Sequence, residues 1–275
     1  MDVTFPLRQL TGRERSLAEL TSPDERILRW QPPLTIEQLQ APYLKLDERI
    51  PPDTPEGLRD RIRTAEQLAV YGYFVYEFHT ISMFWALVGV EMALRMKFAA
   101  KYPGLIRVTR KTADGKEEVC QISAEKLKHY RRQKPRWNFP PEVKDIDYSF
   151  HGLLVWAFRE GLLPKDIAIP VPEIVNIFNN KFMLETFPEL LARDGLLKSK
   201  PQSIAEIQAC WDGLSEEERS RYRPKNADAL IEGLPRFRNM LAHPQHYDLI
   251  LVPRAPIGTY ELLVDIVARL WAAPA

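Results

Sequence analysis

The chain has 275 residues, 45% of them apolar and 27% charged, with a net charge of +1; this is material for a substantial core and excludes both a disordered chain and a uniformly basic one. Two cysteines, Cys120 and Cys210, lie apart and outside any C-x-x-C pair, which leaves neither a disulfide framework nor a zinc signature. The first residues lack a basic start and an apolar run, and the clean apolar run Ile81 to Val90 is too short for a bilayer, so the expectation is a cytoplasmic protein without membrane contact.

Residues 1–53 contain Pro32-Pro33 and Pro51-Pro52 with short amphipathic pieces between them, and read as an N-terminal arm. Leu7, Ile27, Leu28 and Trp30 give it apolar groups with which to dock on the body. Asp53-Thr54-Pro55-Glu56 marks a helix start, and the helical pattern runs to about Tyr102, where Pro103-Gly104 stops it. With Gly72 inside that pattern, one kinked helix and two separate helices both fit. Ile81 to Arg95 is apolar nearly all round and reads as a core helix, with Glu91 the exception. A carboxylate there needs a partner, and Arg95 at i+4 offers one.

Ile106–Lys111 and Glu117–Ile122 flank Ala113-Asp114-Gly115, a hairpin signal, and Ser123-Ala124-Glu125 opens a short basic helix. From Lys101 to Arg136 there are eleven Lys or Arg against four acids, an excess of +7 in a nearly neutral chain. Tyr130, Trp137 and Phe139 interleave with the end of this run, a composition suited to phosphate contacts with base stacking, although a solvated surface has the same look. The candidate RNA-binding residues are Lys101, Arg107, Arg110, Lys111, Lys128, Arg131, Arg132, Lys134, Arg136 and Trp137.

Further helices are expected over Tyr148–Arg159, Val171 to about Phe187, and Pro188–Asp194 with Gly195 as its stop. Ser203 and Ser215 begin capping sequences, Asn226 reads as the cap of the next helix, and Pro235 predicts a kink or a fresh start before Arg236. Tyr260–Trp271 has the spacing of a closing helix. His79 and His151, in apolar helices, read as hydrogen-bonded core residues. No P-loop, dinucleotide fingerprint or nucleophile elbow is present, and no cofactor is expected. His243-x-x-His246 with Asp248 is too thin a ligand set for a metal, and none is expected.

The stretch Arg236-Phe237-Arg238-Asn239-Met240-Leu241-Ala242-His243-Pro244 concentrates chemistry. In a helix Asn239 and His243 share a face and the long side chain of Arg238 reaches the same place, while Pro244 puts His243 at or near the helix end. Imidazole titrates near neutrality and suits proton transfer, and guanidinium suits a phosphate. Arg238-Asn239-Met240-Leu241-Ala242-His243 resembles the R-x4-6-H signature of the HEPN superfamily of small helical domains. The bare spacing is common; the polar Asn239 and the helical context sharpen it.

The resemblance implies an antiparallel helical bundle over 54–275, here mainly α with a basic β-hairpin insertion at about 104–140 and the arm at 1–53. It implies a metal-independent endoribonuclease in which Arg238, Asn239 and His243 are catalytic, Arg236 adds positive potential and Glu91 supports the motif by pairing with Arg238. A homodimer with two facing motifs, use as a toxin or antiphage effector, and restraint by an antitoxin or sensor protein are implied in the same way. The alternative is a non-catalytic HEPN-like module that binds RNA, a nucleotide or a partner protein; a scaffold using the arm as its contact is a third reading.

Overall fold

Helices carry most of the described chain, and the strands form one small antiparallel sheet. The computed structural model describes residues 19–28, 35–133, 136–144, 146, 148–196, 203–222, 225–243 and 255–272. In chain order the elements are α1 (Glu25–Leu28), α2 (Ile36–Asp47), α3 (Glu56–Tyr71), α4 (Phe78–Lys101), β1 (Ile106–Lys111), β2 (Glu117–Ile122) and α5 (Leu127–Arg132). There follow α6 (Phe150–Arg159), α7 (Pro172–Lys181), α8 (Phe187–Arg193), α9 (Ile204–Gly213), α10 (Glu216–Tyr222), α11 (Asn226–Ala242) and α12 (Ala255–Trp271). A π-helical turn, Phe182–Thr186, links α7 to α8. Among the described residues no helix is long and apolar enough to cross a membrane.

The chain divides into two compact units, residues 1–90 with 241–275, and residues 91–240; the divisions fall inside α4 and α11. In the first unit, α2 packs on α3 and α12. Thr35 caps α2 with a complete capping box, and Leu39 and Tyr43 face inward, so this part of the N-terminal region is a docked helix. Leu7 and Trp30 lie outside the described residues.

The helical pattern from 54 to 102 resolves into two helices. Gly72 follows α3, and a Cβ there would stand 2.4 Å from the ring of His79 in α4, so the close approach demands glycine. α3 begins where its proline and acids predicted, but Pro55 occupies the cap position and no side chain caps it. His79 is buried as expected, yet among the described residues neither of its ring nitrogens has a hydrogen-bond partner. Burial therefore lowers its pKa to about 4, the neighbouring charges of Asp24, Arg26 and Glu77 acting in smaller, partly opposed ways.

The second unit holds the hairpin. β1 and β2 pair in register from Ile106 with Ile122 to Lys111 with Glu117, and Gly115 takes φ +80° in the turn. Thr109 makes a further bridge with Asn138, which ties the following segment to β1. Phe178, Phe182, Phe187, Leu191, Ile207, Tyr222 and Ala229 form one core cluster. Phe98 of α4 meets Trp156 of α6 edge-on at 5.0 Å and Tyr148 at 5.5 Å.

Two expectations for α11 are corrected. It runs from Asn226 to Ala242 with Pro235 inside, so no fresh helix start falls before Arg236. Leu230, Leu234, Phe237 and Leu241 repeat at helical spacing and are buried, and this apolar stripe outweighs the backbone hydrogen bond that proline removes. Asn226 is a helical residue whose amide donates to the carbonyl of Ile167 at 3.0 Å, while Asp228 accepts from the backbone N–H of Lys225 at 3.2 Å.

Candidate functional site

The burial pattern of α11 sorts the motif. Phe237 and Leu241 face inward, Arg236 and Asn239 are exposed, and Arg238 lies part-buried between them. His243 is the first residue past the helix and is exposed.

Arg238 is anchored within the second unit. Its Nη2 donates to Glu91 Oε2 at 2.8 Å, and its Nη1 donates to Asn239 Oδ1 at 3.1 Å. Its Nε is buried and among the described residues has no hydrogen-bond partner. Glu91, whose side chain is only 12% exposed, also accepts from Arg95 through Oε1, at 3.1 Å from Nε and 2.6 Å from Nη2. The two candidate partners of Glu91 are therefore engaged together, one on each carboxylate oxygen. Desolvation works to lower the Arg95 pKa, but the bonds and charge of Glu91, helped by Tyr148, more than reverse it and the net shift is upward. Arg95 also lies over the Tyr148 ring at 4.6 Å. Tyr148 had no sequence signal for this role beyond being an aromatic residue at the expected start of an amphipathic helix, which begins at Phe150 instead.

The basic region splits. Lys101 is ion-paired with Glu160, and Arg110 with Glu118 at 2.6 Å. Arg131 donates to the carbonyl of Val143 and stacks on Phe139 at 4.6 Å. Trp137 is 6% exposed, with Arg110 over its ring at 4.5 Å and its Nε1 donated to Gln133 at 2.9 Å, so it forms a wall. Arg107, Lys111, Lys128, Arg132 and Arg136 are exposed and have no ion-pair partner among the described residues. Lys134 lies outside the described residues, as do His246 and Asp248. No group of three metal-ligating side chains occurs among the described residues.

A cavity of about 580 Å³ opens beside this segment, lined by Arg131, Arg136, Trp137, Asn138, Phe139 and Lys144 among others. Asn138 and Lys144 were not among the candidates, because the cation count stops at Arg136 and Pro140-Pro141 separates Lys144 from it. His151 departs from expectation. Its side chain is 48% exposed and Nε2 lies 3.2 Å from Glu232, whose other oxygen accepts from Lys181 at 2.8 Å.

Comparisons with family models, with curated proteins and with solved structures found no match for this chain.

Proposed function

We propose that the protein is a metal-independent endoribonuclease of HEPN type, its helices forming an antiparallel bundle of that superfamily. The observation that carries this reading is the anchoring of Arg238: Glu91 takes one terminal nitrogen and Asn239 takes the other, five residues before an exposed imidazole on the same stretch of chain. A guanidinium held in one rotamer is preorganised to stabilise charge on a phosphorane, and imidazole is suited to take or give the proton at the 2′-hydroxyl or the leaving 5′-oxygen. In this mechanism His243 transfers the proton, Arg238 meets the pentacovalent phosphate and Asn239 orients one of them. Arg236 adds positive potential, and the exposed cations from Arg107 to Arg136 hold the RNA backbone. Toxin or antiphage use, under an antitoxin or sensor, is the biological setting we assign.

One observation favours the second reading, a non-catalytic module that binds RNA, a nucleotide or a partner protein. Glu91 already supplies a counter-charge to Arg238, as an architectural ion pair does. Purified protein incubated with total RNA in EDTA separates the two. The nuclease reading expects cleavage that disappears in His243→Ala, which keeps the wild-type melting profile, and in Arg238→Ala assayed below its own, lowered melting temperature. Intact RNA with the wild type, or equal cleavage by His243→Ala, supports the binding module.

A further inference from the structure

The cavity beside the hairpin combines groups that the motif does not use. Arg136 and Lys144 reach it as exposed cations with no ion-pair partner among the described residues, and no carboxylate lines it among the described residues. Arg131 stands in the wall in a fixed position, held by the Val143 carbonyl and the face of Phe139. The wall is rigid, because Asn138 exchanges both backbone hydrogen bonds with Thr109, at 2.6 and 3.1 Å, and Trp137 is fixed through Gln133. At about 580 Å³ the cavity falls within the roughly 300–1,000 Å³ of small-ligand sites.

We propose that this cavity binds a nucleoside phosphate, with the phosphate on Arg136 and Lys144 and the base against Phe139. Two cations on one cavity, without ion-pair partners among the described residues, suit a compact dianion, and the Arg131–Phe139 stack offers a flat surface for a base. The Asn138 amide has both a donor and an acceptor for a base edge. An acidic peptide has no use for the aromatic surface, and inorganic phosphate uses only the cations. The ligand has two sources, a free mononucleotide or one unstacked residue of single-stranded RNA. The second source rests on the ribonuclease reading.

Titration of the full chain with AMP, with a labelled hexanucleotide RNA and with inorganic phosphate tests the assignment. Arg136→Ala/Lys144→Ala is expected to weaken nucleotide or RNA binding at least tenfold. Both positions are exposed, so the melting profile should stay at wild type. Phe139→Leu is expected to weaken the nucleotide several-fold and leave phosphate unaffected. AMP binding identifies a mononucleotide site, whereas binding of the hexanucleotide alone identifies a subsite for RNA. His243→Ala should retain this binding in full, so loss of the nuclease reading leaves the pocket standing, and the reverse also holds. Absence of binding by both nucleotide ligands, or affinity unchanged in the double variant, overturns the proposal. Equal effects of Phe139→Leu on phosphate and AMP overturn the place of the base.

Discussion

Arg238 and Glu91 are 147 positions apart in sequence and 2.8 Å apart in space, and Glu91 spends its second oxygen on Arg95. One carboxylate thus orients two guanidiniums. Glu91→Gln leaves both cations without their counter-charge while keeping the size of the side chain. The expected cost is about 1–3 kcal/mol in urea denaturation, less than for a fully buried pair because both arginines are partly solvated. A change within about 0.5 kcal/mol, the ordinary range of surface substitutions, would mean that the trio contributes little.

Gly233 in α11 is pressed against α7. A Cβ at this position would stand 2.6 Å from the backbone carbonyl oxygen of Ile174, which has no rotamer by which to move aside. Gly233→Ala is expected to lower stability by about 1–3 kcal/mol despite the better helix propensity of alanine. An unchanged or raised melting temperature would contradict this packing.

Glu66 and His79 predict opposite pH dependences in the first unit. Burial raises the Glu66 pKa first, and the charge of Asp47 and its hydrogen bond add to the rise, so the folded chain binds this proton more tightly than the unfolded chain. The stability it contributes is complete below the ordinary carboxyl range and is lost as pH rises through the raised value. Glu66→Gln should remove that alkaline-side loss and stabilise the protein at pH 7.5. Denaturation midpoints of the variant that fall in parallel with the wild type between pH 4.5 and 7.5 would assign the loss elsewhere.

For His79 the sign reverses. The folded pKa of about 4 lies below the ordinary imidazole value of 6.5, so its stability is complete above the unfolded value and lost as pH falls from 6.5 towards 4. The full loss is on the order of 3 kcal/mol. Replacing it by Leu should flatten the acid limb of the stability profile over that window; an acid limb of unchanged steepness would show that other groups cause it.

The sequence makes the elements legible where local chemistry decides them. Hairpin turn, the helix stops at Pro103-Gly104 and Gly195 and the serine caps fall where expected, with Ser215 accepting from Glu218 N–H at 3.2 Å and Glu218 accepting in return at 2.8 Å, whereas the helix expected from Val171 to about Phe187 gives way to a π-helical turn after Lys181. It misleads where tertiary packing decides. Pro235 predicts a kink or a fresh helix start, but the buried stripe through Leu234 and Phe237 carries one helix across it with no fresh start. His151 looks internal by its neighbours, yet its side chain is half-exposed and meets Glu232 of another helix. At the candidate site, Glu91 is legible as a carboxylate needing a partner, while the simultaneous use of Arg95 and Arg238 depends on helix placement that no local pattern encodes.

A protomer offers one proton-transfer group in the motif, His243, while phosphodiester cleavage uses a base and an acid. The ribonuclease reading therefore expects a two-fold dimer with two His243 and two Arg238 about one phosphate. Wild type reassembled with excess His243→Ala should lose activity roughly as the square of the wild-type fraction if each site needs both histidines. A linear loss, or full activity in a protein shown to be monomeric under assay conditions, would remove the composite site.

The central claim is cleavage through the 2′-hydroxyl by Arg238 and His243 without a metal. Its most direct test is the chemistry of the product ends after digestion of a defined RNA in EDTA, resolved by mass spectrometry. The account predicts 2′,3′-cyclic phosphate or 3′-phosphate ends from the wild type and none from His243→Ala. Ends bearing 3′-hydroxyl groups, or activity lost in EDTA and restored by magnesium, would contradict it.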